Sequence, residues 1–147
     1  MKKLLITLCI LSLTGFGIAK ADDFYEPSTE AKLQYNQGVD YYKIGQYDRA
    51  MASFRQAIAI DPNYIDAYYN LGLILEYLKQ NDTALAIFKQ IIVRNPTDYE
   101  SVYKAADLSV KLNELDKAKS YLSLIPPEST VYSKAQSLAN SMNTDMQ

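Results

Sequence analysis

The apolar positions of this chain recur at a fixed distance rather than gathering in one run. The stretch Ala31 to Tyr64 reads AKLQYNQGVDYYKIGQYDRAMASFRQAIAIDPNY, and the 68 residues after it are variations on it. At a shift of 34, Gly38 falls on Gly72 and Ala106, Ala50 on Ala84 and Ala118, Phe54 on Phe88 and Leu122. Tyr35 falls on Tyr69 and Tyr103, and Pro62 on Pro96. Within the stretch, Leu33, Gln37 and Tyr41 are spaced to share one helical face, and Ala50, Phe54, Ala57 and Ile58 to share another. Two amphipathic helices joined by a short turn fill a period of this length.

The punctuation agrees. Lys43 to Tyr47 reverses the chain, with Gly45 available where the backbone needs positive φ. Asp48 is placed to cap the second helix. Pro62 ends that helix because it disfavours helical geometry at Asp61 and lacks a donor, and Asn63 is placed to cap the next. In the second unit, residues 65–98, Tyr68 to Gly72 opens the first helix and Leu75 continues its buried face. Lys79 to Asp82 turns the chain without a glycine, and Ala84, Phe88 and Ile91 face inward. Asn95-Pro96 stops the helix, with Thr97 and Glu100 spaced as a capping box. The third unit, residues 99–132, drifts: Ala106 stands for the glycine, Asn113 to Asp116 makes the turn, and Pro126-Pro127 cuts the helix early. Ala118, Leu122 and Ile125 still face inward. Beyond it, Val131, Ala135, Leu138 and Met142 predict one more helix over about 129–142, capped by Ser129 or Thr130, and residues 143–147 are expected to fray.

The spacing Tyr35, Gly38, Tyr41, Gly45, Tyr47, Ala50, Phe54, Ala57, Pro62 resembles the tetratricopeptide repeat. The resemblance implies an all-α right-handed superhelix of three stacked repeats over residues 31–142, closed by a C-terminal capping helix. It also implies that the first helices of the repeats line a concave groove. Carried onto this chain, the groove rows hold Lys32, Tyr35, Val39, Tyr42 and Lys43, then Asp66, Tyr69, Leu73, Glu76 and Tyr77, then Glu100, Tyr103, Asp107, Val110 and Lys111. Tyr35, Tyr69 and Tyr103 form a tyrosine row, rigid apolar area carrying a hydroxyl, suited either to recognition or to the repeat framework. The framework proper is Gly38, Tyr41, Ala50, Phe54, Pro62, Gly72, Ala84, Phe88, Pro96 and Ala118. The carboxylate-clamp members of the family are not matched. Of the five places they use, Asn70 and Lys104 fit, whereas Tyr35, Val39 and Glu100 do not.

The chain opens on a different pattern. Met1-Lys2-Lys3 precedes an apolar run from Leu4 to Ile18, and Ala19-Lys20-Ala21 offers a small-x-small cleavage site. The run is about 15 residues, short of the roughly 20 that span a bilayer. Residues 1–21 therefore read as a secretory signal peptide. Cleavage before Asp22 leaves a polar lead-in over 22–30, a solvated N-terminus with Ser28 or Thr29 capping the first helix, and a periplasmic or secreted protein.

Cleavage also changes the chemistry available. Lys2, Lys3 and Lys20 leave with the leader, so 12 basic residues face 17 acidic ones, a net charge of −5. The only cysteine, Cys9, leaves too, and the chain has no histidine. Zinc, haem and iron–sulfur ligation by the usual side chains is excluded, as are Cys–His and Ser–His–Asp nucleophiles. An acidic chain without a basic patch is a poor binder of nucleic acid. Glu76 and Asp107 share the groove, but no acid/base motif accompanies them. The expected function is a non-catalytic, cofactor-free interaction module holding a peptide or helix of another protein in the Tyr-lined groove. The alternative is a self-associating structural component of an envelope assembly.

Overall fold

The computed structural model describes residues 25–144, with side chains through Met142. The expected leader and Asp22–Asp23 lie outside the described residues, as does most of the tail. The described chain is seven helices: α1 (Thr29–Lys43), α2 (Tyr47–Ile60), α3 (Ile65–Tyr77), α4 (Asn81–Arg94), α5 (Tyr99–Lys111), α6 (Leu115–Leu122) and α7 (Tyr132–Thr144). Each packs on the next in sequence. Pairs α1–α2, α3–α4 and α5–α6 are the three expected repeats, and α7 covers the last.

Small residues set the closeness of each pair. Gly38 of α1 faces the Phe54 ring of α2, and Gly72 of α3 faces the Phe88 ring of α4. A Cβ at Gly38 would sit 2.8 Å from the Phe54 ring, and one at Gly72 2.9 Å from that of Phe88. Ala106 is tolerated in the third repeat, where Leu122 replaces the phenylalanine. The main core runs from Ala31 through Phe54, Leu71, Leu75, Phe88 and Ile91 to Leu108. A smaller cluster, Val102, Ile125, Val131 and Ala135, joins α5 to the C-terminal segment. Arg94 locks the first two repeats, donating to the Pro62 carbonyl at 2.9 Å while its guanidinium lies 4.7 Å from the Tyr68 ring centre.

One turn is used three times. After α1, Gly45 (φ +73°) donates to the Tyr42 carbonyl, and Gln46 to that of Tyr41. After α3, Lys79 (φ +60°) and Gln80 donate to Glu76 and Leu75, and after α5, Asn113 (φ +59°) and Glu114 to Val110 and Ser109. This pair of bonds is the Schellman closure, which places one residue in the left-handed region. The glycine-free turns thus keep the same backbone.

The turn also explains why Asp48 does not cap. Gln46, Gln80 and Glu114 close the preceding helix and are already the N-cap positions of α2, α4 and α6, with no side-chain cap bond. Asp48 lies inside α2, where its charge favours the helix dipole instead. At the repeat junctions, Pro62 and Pro96 hold Asp61 and Asn95 extended, ending α2 and α4. There the next helix starts one residue later than expected. Asn63 donates its backbone N–H to the Asp61 carboxylate and leaves Tyr64 as the N-cap. Thr97 is occupied by Asn95, so Asp98 caps α5 by accepting from Ser101 at 3.1 Å, and no capping box forms with Glu100.

Three further expectations change. Leu33 and Gln37 point outward, Leu33 being 64% exposed, because α1 buries Ala31 and Gly38 instead. Ser28 does cap α1, accepting from Ala31 at 3.2 Å. The lead-in before it is anchored rather than free over 25–28: the Tyr25 hydroxyl and the Ser28 amide both meet Asp61, and Glu26 pairs with Lys32. The last helix starts at Tyr132 rather than near Ser129 and runs to Thr144, taking in the first two residues of the expected tail.

Candidate functional site

The first helices of the repeats are bridged side chain to side chain, and the bridges use Tyr35, Glu76 and Lys111 of the predicted rows together with Asn70 and Lys104 outside them. Tyr35 packs on Phe54 and Tyr64, at ring separations of 5.5 and 4.9 Å, and its hydroxyl accepts from Asn70 at 2.9 Å. Tyr69 meets Phe88 edge-on at 5.7 Å. Tyr103 is half-buried, with the Lys134 ammonium 6.0 Å from its ring centre. Burial raises the hydroxyl pKa of all three, reinforced by Asp66 for Tyr35, Glu100 for Tyr69 and Asp107 for Tyr103. The three tyrosines are thus packed between helices and partly buried against the core clusters.

Between α3 and α5 the bridge is ionic. Glu76 accepts from Lys104 at 2.9 Å on one oxygen and from Lys111 at 2.6 Å on the other. Lys111 also reaches Asp107 at 2.7 Å. Burial alone would raise the Glu76 carboxyl, but the two lysines outweigh it and hold it below the usual glutamate range. Burial likewise pulls Lys111 down, and its hydrogen bonds to Asp107 and Glu76 more than reverse that. Lys111 is bound to both Glu76 and Asp107 and so brings the two carboxylates together. The two clamp-like residues are committed internally as well: Asn70 to Tyr35 and to the Asp66 carbonyl, Lys104 to Glu76.

Exposed apolar surface lies at the C-terminal ends of α1 and α3. Tyr42 is 51% exposed and Tyr77 64%. Both rings lean on Tyr47, at 5.8 and 5.0 Å. Leu73 is half-buried, and an open cleft of about 680 Å³ is lined by Tyr42, Leu73, Glu76, Tyr77, Lys79, Asn81, Lys104 and Lys111. Val39 is half-buried against the core, and Asp66 is exposed at the far end. Tyr47 and Lys79 were not among the groove residues taken from the sequence. Tyr47 is on the second helix and Lys79 in the turn, outside the rows, and only the tertiary stacking brings them there.

The architecture, with its period, its glycine–phenylalanine contacts and its thrice-used turn, has counterparts. A family profile described as TPR repeat matches residues 38–81, and one described as Tetratricopeptide repeat matches 75–141. Over residues 38–141 the chain is built of tetratricopeptide repeats. No curated protein matches its sequence. Among solved structures, it is similar to the Yersinia enterocolitica type III secretion chaperone SycD in complex with a peptide of the translocator YopD. That match has a TM-score of 0.72 and 19% identity, and covers 82% of this chain and 97% of the other. It is similar to the TPR2B domain of yeast Sti1 in its pHsp70 complex, at TM-score 0.71 and 16% identity, covering 80% and 99%. It is also similar to MamA, at TM-score 0.61 and 22% identity, covering 79% of this chain; the chain spans 62% of MamA. These likenesses establish the tetratricopeptide fold.

Proposed function

We propose that this tetratricopeptide-repeat chain is a non-catalytic interaction module that is exported, loses residues 1–21, and holds a segment of a partner protein in its groove. The observation that carries the reading is the exposed Tyr42–Tyr77 pair over Leu73, apolar area placed beside a cleft large enough for side chains of another chain. The similar structures support the same use of the fold: SycD holds a peptide of YopD, and the Sti1 domain is in complex with pHsp70. The charged leader, its apolar run and Ala19-Lys20-Ala21 support export.

The division of the tyrosines gives the experiment. Tyr77 is exposed and touches only Tyr47 among aromatic neighbours within the described residues, so Tyr77→Ala should leave the melting temperature nearly unchanged. If it is a binding anchor, its loss costs roughly 2 kcal/mol, some thirtyfold in affinity for the partner captured from the envelope fraction. Tyr69→Ala removes packing against Phe88 and should destabilise the fold by about 2 kcal/mol. Affinity and melting are measured on the same two variants. Unchanged capture by Tyr77→Ala would end the groove assignment, and an exported protein retaining residues 18–21 ahead of Asp22 in mass spectrometry would end the leader assignment.

A further inference from the structure

We propose that Lys79 makes the Tyr42–Tyr77 cleft selective for a partner segment that couples an apolar side chain to a carboxylate. The inference rests on the reading of this cleft as the partner site. Its charges do not balance. Both oxygens of Glu76 are taken by Lys104 and Lys111, and Asp107 is taken by Lys111. Three lysines line the cleft with a single carboxylate, Glu76, and the only other carboxylate bound to them among the described residues, Asp107, lies outside the lining. The surplus is Lys79, which has no carboxylate partner among the described residues and lies exposed at the cleft.

The backbone under Lys79 supplies an independent argument. Its φ of +60° is the left-handed conformation that Gly45 adopts in the first repeat and Asn113 in the third. Glycine takes that conformation without penalty and asparagine tolerates it, whereas the longer L side chains resist it. A lysine held against its backbone preference, at the mouth of a cleft, marks a place where the side chain does something that stability does not require. With Tyr42, Leu73 and Tyr77 beside it, the complementary group is an apolar or aromatic side chain flanked by a carboxylate. A solvent-exposed pair of this kind adds modest affinity, so it discriminates between segments instead of holding them. No chain terminus is needed, because the residues that would grip one are bound to their own neighbours.

The test uses the mature chain and two synthetic hexapeptides, acetylated and amidated so that neither has a free terminus. One carries two glutamates on each side of a leucine–phenylalanine pair; the other has glutamines in their place. The acidic peptide should bind more tightly, and the difference should shrink at high salt. Lys79→Gly should raise the melting temperature, because it relieves the left-handed turn, while weakening the acidic peptide up to about fivefold and leaving the glutamine peptide unaffected. Lys79→Arg should keep the preference. Gain in stability with loss of selectivity is a combination that a merely solvated turn lysine does not produce. Equal binding of the two peptides, an unaltered preference in Lys79→Gly, or no binding of either would each overturn the proposal. If native-partner capture still depends on Tyr77 in that case, the groove stands and only its charge selection falls.

Discussion

At Gly72, a single methyl group would already press on the Phe88 ring at 2.9 Å. Two helices whose axes are set by that contact cannot admit a branched side chain without moving apart. Gly72→Leu should therefore destabilise the protein by about 1–3 kcal/mol or more, read as a drop in melting temperature and urea midpoint. A variant that melts with the parent would mean that the α3–α4 contact is not as described. The recurrence was legible in the sequence, because at a shift of 34 Gly38 falls on Gly72 and Phe54 on Phe88; that each of these two glycines faces the ring shows only in the packing. Lys79 was not legible. Its φ is dictated by the Schellman bonds of the turn, and lysine carries no propensity signal for that conformation.

The elements were legible in number and order, and less so at their ends. Helix faces follow from spacing, but caps depend on which of several nearby oxygens reaches a free N–H first. Asp61 gathers the Tyr25 hydroxyl and the Ser28 and Asn63 amides, and so turns a polar lead-in into an anchored strap. The groove's ionic bridge is likewise invisible until α3 and α5 lie side by side. That bridge has a pH signature. Glu76 is 16% exposed and its folded-state carboxyl lies below the ordinary range, so its contribution is present above the unfolded glutamate value and lost as pH falls through the folded one. Glu76→Gln should be less stable than the parent at pH 7, and the gap should close on acidification below about pH 4.3, where unfolded glutamate protonates. Urea unfolding of both proteins at pH 7 and pH 3 measures it; a gap that does not depend on pH would show that the lysines do not stabilise the carboxylate.

Across the whole molecule, the stack of three repeats with a terminal cover follows from the period, whereas the division of the aromatic surface does not. Tyr35, Tyr69 and Tyr103 carry the same spacing as any groove row, and only packing shows that they are wedged between helices while Tyr42 and Tyr77 are left open. Packing also divides the interior. The main core reaches α5 through Ala105 and Leu108, and the smaller cluster begins on the same helix at Val102. Ile92 and Tyr121, both only partly buried, touch both clusters among the described residues. Repeat proteins hold together by nearest-neighbour contacts, so a thin junction between two clusters is where cooperativity is weakest. Pulled from its two ends, such a molecule behaves as two springs in series. The segment of α6 and α7, with the smaller cluster, should yield first and leave the Gly–Phe pairs of the first two repeats intact. An optical-trap record would then show a small extension at low force followed by a larger one, in contrast to the single rip of an undivided core.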